Sequence, residues 1–232
     1  MNKKLRLMIF FAAVVLGGLF VFQRINQKVP EDPALLALRQ GITQGAAGSS
    51  MDLSEEAQGL QFLSQLQAAQ EQAVKSNFDS VAAINEVARL KLLLGDEDGA
   101  RQAWEYLTLI RPKNALAFAS LGRLYHHNLG LYQKAEDYYL RALVNDPHEL
   151  ATIRNFFELY HNALRDDAKA EALLQEALKT NPQAAELYAL AGKFYQDLGQ
   201  ISQAVENYQE HLKLNPANDA VRKELLKLKA KL

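Results

Sequence analysis

Four prolines set a ruler along this chain: Pro112, Pro147, Pro182 and Pro216 stand 35, 35 and 34 residues apart. Ala100, Ala135, Ala170 and Ala204 keep the same three intervals. Tyr125, Tyr160 and Tyr195 stand 35 apart, with Lys91 in the corresponding slot of the first copy. A fixed period of this size means supersecondary units stacked in a row, each sheltering its apolar face against its neighbours. Residues 114–147 show what one unit is. Phe118, Leu121 and Tyr125 form the stripe of a first helix, and Gly122 allows close backbone approach. Leu129-Gly130 ends that helix, since glycine suits the left-handed conformation that follows a helix C-terminus. Ala135, Tyr139 and Ala142 form the stripe of a second helix, which Asn145-Asp146-Pro147 stops because the residue before a proline is pushed out of the helical region. Ala135 is small because two antiparallel helices cross there and a larger side chain would hold them apart.

Those residues resemble the tetratricopeptide repeat family, whose pattern runs W-x2-L-G-x2-Y, then A-x3-F, then A, then P over about 34 residues. Tyr188, Ala191-Gly192, Tyr195, Gly199, Ala204, Tyr208 and Pro216 follow it without a gap. The copy with Phe118, Leu121-Gly122, Tyr125, Gly130, Ala135, Tyr139, Ala142 and Pro147 carries one extra residue near His126-His127-Asn128. Ile84, Val87-Ala88, Gly95, Ala100, Trp104, Leu107 and Pro112 follow more loosely. In the third copy Ile153, Tyr160, Ala170, Leu174, Ala177 and Pro182 agree, but Phe157 fills the small-residue slot and Arg165 the loop glycine, which puts the local helix crossing there in question. The resemblance implies an all-α, right-handed superhelical stack of helix-turn-helix repeats over residues 78–232. Its four repeats fall at about 81–114, 115–149, 150–184 and 185–218. A solvating helix over 219–232 closes it, with Lys223, Lys227, Lys229 and Lys231 facing water.

Ahead of the repeats the chain changes character. A short basic run, Lys3, Lys4 and Arg6, precedes residues 7–22, which hold no charged or strongly polar side chain. As a helix they span about 24 Å, and Leu5 and Ile25 extend this toward a hydrocarbon core of about 30 Å if Arg6 and Arg24 snorkel. Phe22-Gln23-Arg24 is a poor cleavage site, so residues 1–25 read as an uncleaved signal anchor, with a cleaved signal peptide as the alternative. The compact basic flank puts the N-terminus in the cytoplasm and the rest across the membrane, in a bacterial cell the periplasm. Residues 26–52, with Pro30, Pro33 and the stretch TQGAAGSS, read as a flexible linker in which residues 34–40 can form two helical turns. Residues 53–77 read as an N-terminal capping helix with Leu60, Leu63, Leu66 and Ala73 near one face.

The search for chemistry is short. The net charge of −1 lacks the concentrated positive field that nucleic acid requires. Without cysteine there are no disulfides, no thiol catalysis and no cysteine-ligated zinc. No phosphate cradle, nucleophile elbow or H-E-x-x-H is present, the nearest approach to the last being His148-Glu149 with Thr152 in place of the second histidine. We therefore expect no enzyme, no cofactor and no metal site. His211 sits where the pattern expects a small residue and reads as a packed, hydrogen-bonded histidine. The periodic aromatic residues read as core.

What is left is a surface. First helices line the concave side of such stacks, and in tetratricopeptide folds that groove holds an extended peptide or a helix, which is what the resemblance implies here. The register places Asn85 and Arg89, Arg123 and His126, Arg154 and Asn155, Glu158 and His161, and Lys193 with Gln196 in groove-facing slots. Arg89, Arg123, Arg154 and Lys193 put one cation in each repeat, suited to an acidic segment or a free C-terminus. The competing reading pairs these cations with Glu86, Glu158 and Asp197 on a solvated surface. The lysines and asparagines of the carboxylate-clamp subset are not reproduced. The sequence thus reads as a membrane-anchored scaffold or adaptor for a protein partner, of the layout found in envelope assembly, cytochrome c maturation and protein translocation. The rivals are an accessory subunit or holdase of a membrane enzyme complex and a self-assembling structural repeat protein, a homo-oligomer.

Overall fold

Proline and glycine punctuate the helices where the spacing requires. The structure, a computed structural model, describes residues 33–45 and 56–230. Every element among them is helical. The chain divides into two compact units, one ending at Ala142 and the other beginning at Leu143. The first holds α1 (Pro33–Thr43), α2 (Glu56–Lys75), α3 (Val81–Leu93), α4 (Glu97–Ile110) and α5 (Ala115–Arg123), which a π-helical turn at Leu124–Asn128 continues, and most of α6 (Tyr132–Asn145). The second holds α7 (Leu150–Glu158) with a π-helical turn at Leu159–Ala163, then α8 (Asp167–Thr180), α9 (Ala185–Asp197), α10 (Ile201–Leu214) and α11 (Asp219–Lys229).

Side chains start these helices by accepting from the free N–H groups of the first turn. Ser80 caps α3, Asp96 caps α4, Asn114 caps α5, Asp166 caps α8 and Asn218 caps α11. Ala100, Ala135, Ala170 and Ala204 are all at 0% exposure, where the two helices of each repeat cross. The small residue opposite is equally necessary. A Cβ on Gly122 would stand 2.6 Å from the Tyr139 ring, and one on Gly192 2.6 Å from the Tyr208 ring. In the third copy Phe157 fills the slot of Gly122 and Gly192 on the first helix, and Leu174 the slot of Tyr139 and Tyr208 on the second, at 4% and 1% exposure.

The extra residue of the second copy becomes a π-helical turn, and the third copy makes the same turn. There the Leu129 and Leu164 N–H groups donate five residues back, to Leu124 O (3.1 Å) and Leu159 O (2.9 Å). In the first and fourth copies Leu94 and Leu198 donate four residues back, to Leu90 O (3.0 Å) and Phe194 O (3.1 Å). After this turn the chain takes the left-handed conformation at Gly95, Gly130, Arg165 and Gly199, with φ of +79°, +62°, +55° and +73°. Arg165 thus adopts the backbone of the glycine it replaces.

At the N-terminal side α2 buries Leu63, Leu66 and Ala73 of the expected stripe, together with Ala69, while Leu60 is half-buried. The stretch read as a flexible linker differs from that expectation. Within it α1 packs on α4, with Ile42 at 0% and Thr43 at 2% exposure, because Leu35, Leu36, Leu38 and Ile42 give it an apolar side. The expected anchor at 1–25 and the remainder of the linker lie outside the described residues. Among the described residues no helix is long and apolar enough to cross a membrane. Lys223, Lys227 and Lys229 of α11 are exposed, while Leu225 and Leu228 are buried.

Candidate partner-binding surface

In the first unit, α3, α5 and the π-helical turn after α5 carry four of the groove residues. Asn85 is half-buried and its Oδ1 accepts from the Trp104 indole N–H at 3.0 Å, so its amide is committed to holding the core aromatic. Arg89 is exposed and grips Glu86 through two hydrogen bonds, 2.8 and 2.6 Å, which hold the Glu86 carboxyl below its ordinary range. Arg123 is exposed and makes no ion pair among the described residues.

His126 is a correction. It is 9% exposed, with its ring stacked on His127 at 3.9 Å and set edge to face against Tyr132 and Tyr139. It lies in the π-helical turn with its ring set against α6 rather than solvent. Burial pushes its imidazole down to about 4, with His127 adding to the effect.

The second unit carries the other six. Arg154 on α7 is exposed and donates to Glu186 of α9 at 3.0 Å. Asn155 and Glu158 are half-buried on α7. His161 stacks on Phe157, meets the edge of Phe194, and lies 2.6 Å from an Asp167 carboxylate oxygen through Nδ1. Lys193 is exposed and reaches Asp197 at 2.5 Å. Gln196 is a bridge: its amide donates to Glu224 of α11 at 2.8 Å, and its oxygen accepts from the Tyr208 hydroxyl at 3.0 Å. Of the ten, Arg89 and Arg123 in one unit and Arg154 and Lys193 in the other are exposed, and Asn155 and Glu158 are half-buried.

Two of the acids named as surface partners, Glu86 and Asp197, do pair with these cations, but Arg154 pairs with Glu186 of the following repeat rather than Glu158. A partner 32 residues away leaves no trace in local spacing. His211 is 3% exposed, its Nδ1 2.8 Å from Ala185 O and its Nε2 2.9 Å from the Asn218 amide nitrogen, which assigns it a packing role. No group of three or more metal-ligating side chains converges among the described residues.

Paired helices with a buried alanine at each crossing and a left-handed residue at each turn define a helical repeat protein. Residues 117–151 and 185–218 match models of the tetratricopeptide repeat. The chain carries repeats of that kind. Among solved structures, it is similar to a thermophilic tetratricopeptide-repeat protein of Thermus thermophilus, 20% identical over 75% of this chain and 96% of that one, with a TM-score of 0.51. A structure of MamA is 18% identical over 78% of this chain and 99% of that one, TM-score 0.54. MamA of Desulfovibrio magneticus is 18% identical over 66% and 85%, TM-score 0.50. The likeness is one of fold.

Proposed function

We propose that this protein is a non-catalytic scaffold that holds a protein or peptide partner on the exposed face of its first helices. In this reading residues 1–25 anchor it in the bacterial inner membrane and the repeats lie in the periplasm, where they recruit the partner to the bilayer. Scaffolding is what a tetratricopeptide fold without a catalytic constellation is suited to. The observation that carries the choice of surface is Arg123. It is an exposed guanidinium without an ion pair among the described residues, in the slot that Arg89 and Lys193 fill in other copies. A planar five-donor group in that position fits a carboxylate, so the partner presents an acidic segment or a free C-terminus.

The test is in-cell photocrosslinking from a position beside Arg123, with and without Arg123→Glu and Arg154→Glu. Charge reversal is expected to remove the crosslinked adduct while the circular dichroism melt stays unchanged, because both side chains are exposed. An adduct of undiminished yield would discard the surface.

A further inference from the structure

Asn77 and Phe78 are consecutive non-glycine residues in the left-handed region, with φ of +52° and +59°. For phenylalanine that conformation costs about 1–2 kcal/mol, and three hydrogen bonds hold the segment there. Phe78 N–H donates to Ala73 O (2.7 Å), Asn77 N–H to Val74 O (2.9 Å), and the Tyr106 hydroxyl to Phe78 O (3.0 Å). The Phe78 and Tyr106 rings then meet edge to face at 6.2 Å. This aromatic corner is built from α2, α4 and the turn after α2, and none of the contacts just named involves α1. Backbone strain of this sort gathers at ligand clamps.

Helix α1 sits on the corner as a ligand would. The Arg39 guanidinium lies 4.9 Å from the Phe78 ring centre and 5.6 Å from that of Tyr106, and its Nε–H donates to the Tyr106 oxygen at 3.2 Å. The Gln70 amide donates to Ile42 O and Gln44 O, 2.8 Å each, meeting carbonyls that a helix C-terminus leaves open. With 11 residues α1 is shorter than the roughly 12–15 at which an isolated helix is even marginal, so its helicity depends on this surface. The sequence between α1 and α2 is long enough to let α1 leave. Gln70 lies about 21 Å along α2 from Glu56, while the chain from Gln44 to Glu56 reaches roughly 40 Å when extended.

We propose that this corner is a helix-receiving site and that residues 33–43 occupy it as an in-chain ligand. Its outside ligand is a partner helix of the same chemistry: apolar on one side, with an arginine at the Arg39 position and C-terminal carbonyls open to Gln70. That partner enters only as α1 leaves, so α1 is its tethered competitor. The inference is independent of the Arg123 surface.

The test titrates a fluorescein-labelled peptide of residues 33–45 into the full chain by anisotropy. Arg39→Glu with Ile42→Glu releases the in-chain copy, and the peptide is expected to bind this variant at least about tenfold more tightly than the unchanged chain, because a tethered competitor stands at about millimolar effective concentration. Adding Gln70→Ala to the released variant weakens that binding. Equal binding to the unchanged and released chains, or no binding to either, overturns the proposal. So does loss of the folded circular dichroism baseline in the released variant, which would make α1 an integral part of the fold.

Discussion

Lys91 fills a tyrosine slot with an ammonium that is 1% exposed and 2.7 Å from the Asp96 carboxylate. Burial pushes that ammonium below its usual range while Asp96 opposes the shift. The pair is tolerable because it is closed: Asp96 also accepts from the Gly99 N–H at 2.9 Å, and a Cβ on Gly99 would stand 2.3 Å from its carboxylate. His126 is buried without an acidic partner of that kind, and its consequence is a pH dependence. Folded, it titrates at about 4, against an ordinary value of 6.5. Between those values the unfolded chain takes up a proton that the folded chain refuses, so stability falls as pH drops through that window. Trp104, the single tryptophan, lies in the same unit at 1% exposure and reports on it. Melts followed by Trp104 fluorescence should lose several degrees between pH 7 and pH 4.5, and His126→Leu should reduce that loss. An identical loss in the variant would dismiss His126 as its source.

At the scale of the helix pair, the π-helical turns convert a sequence irregularity into geometry. Removing His127, which is exposed, leaves Tyr125-His126-Asn128-Leu129-Gly130, the spacing of Lys91 to Gly95 and Tyr195 to Gly199. The shortened turn should close with a bond four residues back, and the melt should move by only a few degrees. Collapse of the Trp104 transition would show that the turn is required. The third copy, with Phe157 and Leu174 in the crossing slots, makes a second case. Phe157→Gly alone should destabilise the second unit by about 3–5 kcal/mol through the cavity it leaves, whereas Phe157→Gly with Leu174→Tyr restores the arrangement of Gly122 with Tyr139 and should recover most of it. A denaturant-melt cycle measures this, and additive losses would deny that the two slots are coupled. The crossing alanines and the turn residues were legible from spacing because each acts within one repeat. That Phe157 and Leu174 are both buried in the third copy was not, since neither residue alone predicts what stands opposite.

For the whole molecule, the reading turns on whether residues 1–25 stay attached. Sixteen apolar residues behind a basic start suit an anchor, and the bulky Phe22-Gln23-Arg24 lacks the small residues that cleavage needs. Mass spectrometry of the membrane fraction should therefore recover peptides containing Phe22-Gln23, and a mature chain starting beyond Arg24 would rule the anchor out. The docking of α1 changes what such an anchor would hold. Within the stretch read as a linker, residues 33–43 form a helix packed on α4.

By itself the sequence determined the period, the helix pairs, the crossings and the kind of repeat, because each follows from backbone rules acting within about 35 residues. The tertiary structure decided what depends on residues far apart in the chain: Arg39 on Tyr106, Gln70 on Ile42, Arg154 on Glu186, and the inward turn of His126. Periodicity specifies which face of a helix is apolar. Only packing specifies which neighbour covers it, and therefore which polar side chains remain for a partner.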